Sequence, residues 1–183
     1  MRRGLATNPF QGGDLELAIG ETVVVPTMGV GVVEATERVD VGDAYVEAYR
    51  IDLGPEDGTF WIPQQQLGSQ GLRPPISKDR LAAMWAEMLE QEAPKKRANW
   101  NRRRKRYSEM LASNEPLQLA ALIGELSAVA AVKRTKKQSL SFGERQLLDK
   151  AQGLLAQEVA AARDCDVDEV LDEMARRLNE TDA

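Results

Sequence analysis

The chain reads as an α+β protein in two parts: a small, strongly bent β-barrel, then a compact all-α domain of about five helices. Three observations predict this. Residues 17–76 are written in short β-branched runs broken by Gly and Pro. From Ser77 onward apolar residues recur at three- and four-residue spacing instead. Lysine and arginine, sparse in the first part, are gathered into two patches in the second. The predicted division is a polar, Gly-rich tail over residues 1–16, expected to be disordered, a β domain over 17–76 and a helical domain over 77–183.

In the β domain, Glu21-Thr-Val-Val-Val25 stops at Pro26, and Thr27-Met28-Gly29 is a turn. A strand begins again over Val30–Thr36, where Gly29 and Gly31 permit positive φ or close backbone approach. Tyr45–Ile51 alternates its faces. The cluster Gly54-Pro55-Glu56-Asp57-Gly58 turns the chain into Thr59-Phe-Trp-Ile62, stopped by Pro63. Four or five curled strands in so short a span suit a barrel, which limits exposed edges. In an alternating strand Phe60 and Ile62 share one face and Trp61 takes the other. If the first two point inward, Trp61 is an exposed candidate for protein contact. Residues 1–76 hold five cations against eleven acids, a balance that suits a protein partner better than DNA.

In the helical domain, Ser77 is placed to cap a helix with Leu81, Met84, Trp85, Met88 and Leu89 on one stripe, stopped by Pro94. Trp85 is therefore expected in the core. A second helix carries Tyr107, Met110 and Leu111. Asn114 caps a third, with Pro116 in its first turn and apolar positions from Leu119 to Val129. Ser141-Phe-Gly-Glu144 is a capping box for a fourth, and Asp166-Val-Asp-Glu169 another for a fifth.

Charge is the most informative feature. Residues 95–106 hold eight cations, no acid and one tryptophan, and Lys133, Arg134, Lys136 and Lys137 form a second acid-free patch. The whole chain carries −5, so everything outside these twelve cations carries −17. Such segregation creates a positive field suited to nucleic acid. A basic run is commonly a solvated face or a localisation signal. This one opens a helix, where cations oppose the positive end of the macrodipole, a placement that favours phosphate binding. The residues alone leave open whether Trp100 is core or is exposed to stack on, or wedge between, bases.

The same text excludes much. With no histidine and Cys165 as the single cysteine, an intramolecular disulfide is impossible, a zinc site is not expected, and the usual general base is missing. No Gly-rich phosphate loop or nucleophile elbow is present. Acidic pairs such as Asp166/Asp168 fit a helix start better than catalysis. We expect a non-enzyme without metal or cofactor. No signal peptide or run approaching the ~18 apolar residues of a membrane span is apparent, so a cytoplasmic, nucleoid-associated protein without membrane contact is expected.

Several segments, in order and spacing, resemble the CarD/CdnL family of bacterial RNA polymerase-binding transcription regulators. They are Gly20-Glu-Thr-Val-Val-Val-Pro26 with Gly29-Val-Gly-Val-Val-Glu34, Ile62-Pro63, Gly71-Leu-Arg73, Asn99-Trp-Asn-Arg-Arg103 and Leu140-Ser-Phe-Gly-Glu-Arg145 with Leu148 and Ala151. The resemblance implies that the β domain is a Tudor-like (SH3-like) module docking on the RNA polymerase β subunit. Its polymerase-facing positions would be Val39, Thr59, Trp61 and Pro63, although Trp61 stands where some members carry a contacting arginine and Val39 is not a cation. It also implies that the helical domain contacts promoter DNA at the upstream bubble edge without reading sequence. Trp100 would be the wedge and Arg102, Arg103, Lys105 and Arg145 the phosphate contacts, with Lys96 and Arg97 adding to them from the same basic run. The segment Ala128–Gln138 is a few residues longer than usual and strongly basic. The expected protein is a monomer that stabilises the open promoter complex. The rival readings are a divergent paralogue acting as an architectural DNA-binding protein and a protein–protein adaptor without polymerase contact.

Overall fold

Valine-rich runs and glycine placement build the first part of the computed structural model, which describes residues 16–42, 44–55, 57–94 and 99–181. Thr22–Val25 (β1), Gly29–Val41 (β2), Ala44–Asp52 (β3) and Thr59–Pro63 (β4) form one antiparallel sheet in sequential order. Gly31 is needed where β2 meets β3: an added Cβ would lie 2.5 Å from Ile51 Cγ2 and 2.9 Å from the Asp52 carbonyl oxygen. Val33, Tyr49, Ile51 and Ile62 are buried and, with Val23, Val25, Leu53, Leu67 and Leu72, make this unit's own core. Beyond β4 the chain returns to bridge β1, with Val24 N donating to the Arg73 carbonyl at 2.7 Å. That pairing covers part of an otherwise open sheet edge.

The second strand runs five residues past the Thr36 expected from sequence. Its outer half is polar because it lies in a hairpin wetted on both sides, where cross-strand charge pairs replace apolar alternation. Arg38 Nε, for example, donates to Glu47 Oε1 at 2.9 Å. A bulge between Val33 and Ala35 shifts the pleat and conceals the continuity. The expected tail falls almost wholly on residues 1–15, outside the described residues.

The second unit, Ile76–Ala183, contains α1 (Leu81–Leu89), α2 (Trp100–Ala112), α3 (Pro116–Thr135), α4 (Phe142–Arg163) and α5 (Val167–Thr181). Met84, Met88, Tyr107, Leu122, Ile123, Leu126, Leu155, Val159, Val170 and Met174 fill its core. Trp85 is buried as expected, with the Arg177 guanidinium 4.7 Å from its ring centroid. Gly124 lets α1 and α3 cross: a Cβ there would lie 2.0 Å from the Met88 carbonyl oxygen.

Four local expectations are corrected. Ser77 precedes a short 3-10 turn, Lys78–Arg80, and its side chain makes no capping bond, so α1 starts at Leu81, the first residue of its apolar stripe, and later than a cap at Ser77 implied. Asn114 does not cap α3, whose N-cap is Glu115. It adopts φ 55 just beyond the end of α2, the left-handed position that asparagine tolerates. Asp166 Oδ1 accepts from the second amide of α5, Asp168 N, at 2.9 Å rather than from the third. Finally, α3 is by length and composition apolar enough to cross a membrane, with a mean hydropathy of 1.3 over an 18-residue window. Its apolar residues are spent on the bundle instead: ten of its positions, Pro116 to Val129, are buried among neighbouring helices.

Candidate nucleic-acid interface

The start of α2 is set by Asn99, whose side chain accepts from Asn101 N at 3.0 Å while its carbonyl accepts from Arg102 and Arg103 N. No acid stands in this first turn. Helical spacing then puts Trp100, Arg103 and Tyr107 on one stripe facing the bundle. Arg102, Arg104, Lys105 and Arg106 are exposed around it. Tyr107 is fully buried, Arg103 is half-buried, and Trp100 at the end of the stripe is half-buried. The ring is neither a core residue nor a free one.

Two neighbours hold it. The Arg103 guanidinium lies 5.6 Å from the ring centroid, within cation–π range. On another side the ring meets Gly143 in α4, where a Cβ would approach to 3.2 Å. Phe142, 77% exposed, stands next to Gly143. Trp100, Arg104, Phe142, Gly143, Gln146 and Lys150 line a groove of about 850 Å³. An aromatic pair beside cations is thus open to solvent along one face.

The electrostatics rest on two buried carboxylates. Glu144 is 1% exposed. It accepts from Ser141 N and Ser141 Oγ, each at 2.8 Å, and from Lys133 Nζ at 2.6 Å, and its other oxygen lies 3.5 Å from Arg103 Nη2. Burial pushes its pKa up, but the hydrogen bonds from Lys133 and Ser141 outweigh that and hold it below the usual value. The second carboxylate, Glu125 of α3, pairs with Arg106 and accepts from Tyr107 Oη at 2.7 Å. Burial and then this bond push the Tyr107 phenol up to about 12.

Of the DNA-contact residues expected from sequence, Trp100 and Arg103 are brought together, and Arg102 and Lys105 share a groove of about 580 Å³ with Arg103 and Arg106. Lys105 is loosely paired with Glu109 at 3.9 Å. Arg145 is exposed in the first turn of α4. Lys96 and Arg97 lie outside the described residues. Sequence reasoning took Ser141-Phe-Gly-Glu144 for a helix start and, with Leu140 and Arg145, for a family landmark, but missed Phe142, Gly143, Glu144 and Lys133 as neighbours of the tryptophan. The available signal was a phenylalanine at the first position of α4, directly after the Ser141 cap, where nothing structural requires it.

In the β unit the register puts Trp61 opposite Arg50, and Phe60 and Ile62 opposite Ile51 and Tyr49. Trp61 is therefore on the outer face and is 45% exposed. Alternation places Val39, Thr59 and Pro63 on that same face. Arg50 Nη1 donates to Glu37 Oε1 at 2.5 Å, and its Nε lies 3.1 Å from Glu34 Oε2, an ion pair without hydrogen-bond alignment. Trp61 Nε1 donates weakly to Glu37 Oε2 at 3.5 Å.

Residues 85–175 match the family described as CarD, C-terminal domain. A Bacillus subtilis (strain 168) protein named "Putative transcription factor YdeB" is 25% identical over 142 residues, spanning 77% of this chain and 88% of that protein. That share exceeds what the helical unit holds, so the similarity extends into the β unit.

Proposed function

This chain belongs to the CarD/CdnL family of transcription regulators, and on that premise we propose a non-enzymatic factor that stabilises the open promoter complex in the bacterial cytoplasm. The β unit docks on the RNA polymerase β subunit through the outer sheet face around Trp61. The helical unit lays the exposed cations of α2 and Arg145 on the phosphate backbone, and Trp100 enters the minor groove at the upstream edge of the bubble. No sequence is read, because cations and one ring carry no base-edge code.

The observation that carries this reading is the seating of Trp100. It is wedged between the Arg103 guanidinium and Gly143, with exposed Phe142 beside it and cations around it. A ring so held can fill the space between unstacked base steps. Unstacking costs a few kcal/mol, and a preference of about 1.4 kcal/mol for the open form shifts opening tenfold. Docking on polymerase supplies the high local concentration that a weak duplex contact lacks.

The test is the lifetime of the open complex at a promoter, read by permanganate footprinting. Trp100→Ala should shorten it by the equivalent of about 1–3 kcal/mol, the range for base–aromatic stacking. Affinity for closed duplex should barely move, because the cations supply most of it. Equal lifetimes with the variant demonstrably bound would remove Trp100 from the mechanism. A second reading, an architectural DNA-binding protein without polymerase contact, draws on Arg50, the cation beside Trp61, being engaged by Glu34 and Glu37. Pull-down with the polymerase β subunit separates the two.

A further inference from the structure

The function proposed above uses the cations of α2 and Arg145 and leaves Arg134, Lys136 and Lys137 unassigned. All three are exposed. The neighbouring cations have acidic partners: Lys133 and Arg103 on Glu144, Arg106 on Glu125, Lys105 on Glu109. Among the described residues these three have none. The macrodipole at the C-terminal end of α3 amounts to about half a negative charge, and Lys133 and Arg134 already occupy that turn. It does not account for Lys136 and Lys137, two further cations just beyond that turn.

Nor is the segment a loose tether. Lys136 N and Gln138 N both donate to the Lys133 carbonyl, at 3.0 and 2.9 Å, and Lys137 N donates to that of Arg134 at 3.0 Å. Lys137 takes φ 55 to close the turn. The loop is also anchored beside the tryptophan. Lys133 Nζ sits 2.6 Å from Glu144, the carboxylate that Arg103 approaches from α2. Glu144 adjoins Gly143, which meets the Trp100 ring. Lys137 and Phe142 are five residues apart, so their Cα atoms are at most about 18 Å apart. Duplex DNA carries a charge per ~1.7 Å of axis, and its minor groove is ~6 Å wide. Several phosphates of both strands therefore fall within reach of the loop when a ring near Phe142 is in that groove.

We infer that Arg134, Lys136 and Lys137 form a second phosphate-contacting surface, separate from α2, that grips the duplex backbone beside the point where Trp100 is presented. The ligand is the phosphodiester backbone, without regard to base. The inference rests on the DNA-binding reading above, and its test separates the two.

The experiment is binding of the full chain to a fluorescein-labelled random-sequence duplex, followed by anisotropy across a salt series. Combining Arg134→Gln, Lys136→Gln and Lys137→Gln should reduce the log K against log salt slope by about 0.9 for each phosphate no longer neutralised. With affinities converging near 1 M salt, that means binding at 0.1 M weaker by about 8-fold for one phosphate and about 500-fold for three. The charge-keeping set Arg134→Lys, Lys136→Arg and Lys137→Arg should retain the wild-type slope, which excludes a folding defect at these positions. If the Gln set leaves the slope unchanged while Arg102→Ala, Arg103→Ala and Lys105→Ala together lower it, the loop is a solvated face and this inference is wrong, with the DNA-binding reading intact. If neither set moves the slope, the DNA-binding reading itself falls.

Discussion

Replacing Glu144 should damage the fold and the tryptophan seat together, by an amount that depends on whether charge or only volume is removed. The carboxylate is 1% exposed and takes four donors from three segments: Ser141 N and Oγ, Lys133 Nζ and Arg103 Nη2. Glutamine keeps the volume and one acceptor but turns an NH2 toward donors. Hydrogen bonds to a charged group contribute about 1.5–3 kcal/mol each. Lys133 and Arg103 are not sealed from water, with side chains 25% and 20% exposed, so solvent recovers part of their loss. We expect about 2 kcal/mol for Glu144→Gln. Alanine also removes the capping-box partner, worth about 1 kcal/mol, and strands two cations, so about 3–4 kcal/mol is expected. The pH dependence has a fixed sign. Because the folded-state pKa of Glu144 is depressed, its contribution is fully present above the unfolded value near 4.5 and disappears as pH falls through the lower folded value. Urea unfolding followed by circular dichroism should thus show a gap between wild type and Glu144→Gln that is largest near neutrality and closes in acid. In a Trp61→Phe, Trp85→Phe background, Trp100 emission should shift when Arg103 loses its anchor. A variant as stable as wild type at pH 7, or a gap constant into acid, would refute the reasoning.

Two further outcomes follow from other parts of the molecule. Trp61→Ala should leave the β unit folded by circular dichroism, since the side chain stands on the outer face, and should reduce capture by the polymerase β subunit; a folded variant with full affinity would place the docking surface elsewhere. The Tyr107 phenol, raised to about 12 by burial and by Glu125, binds its proton more tightly folded than unfolded. Its contribution is present below about pH 10 and is lost as pH rises through about 12. Absorbance near 295 nm during alkaline titration should show this phenol ionising only with unfolding, and Tyr107→Phe should flatten that part of the stability curve.

Much of the fold could be read locally. The 3–4 spacing of Leu81, Met84, Trp85 and Met88, the proline at 116 and the serine–glutamate box at 141–144 each act within one or two helical turns, and each marks a helix of the structure. The strand alternation at Phe60, Trp61 and Ile62 was legible for the same reason. What was not legible depends on partners far along the chain. Glu144 lies 41 residues from Arg103, and Glu125 lies 18 from Tyr107. No periodicity links such positions, so two of the α2 cations looked interchangeable with their neighbours until the fold supplied their acids. The half-buried state of Trp100 has the same origin, since its polar neighbours in sequence say nothing of Gly143. The length of β2 was hidden differently, by charges that pair only once the hairpin has formed.

The seat of Trp100 also bears on the kinetics of recognition. Ordering a rotamer-rich side chain on association costs about 0.5–1.5 kcal/mol, and a ring already pinned by Arg103 and Gly143 has met that cost during folding. The difference corresponds to roughly a 2- to 10-fold tighter complex for the same interface. It favours slow departure over fast arrival, because among variants of one interface affinity differences reside mostly in dissociation. On the proposed reading, position 143 is then a tuning point for residence time: a Cβ there would lie 3.2 Å from the ring, which must yield by a few tenths of an ångström, and a side chain that shifts the ring from its seat should shorten each visit to the DNA.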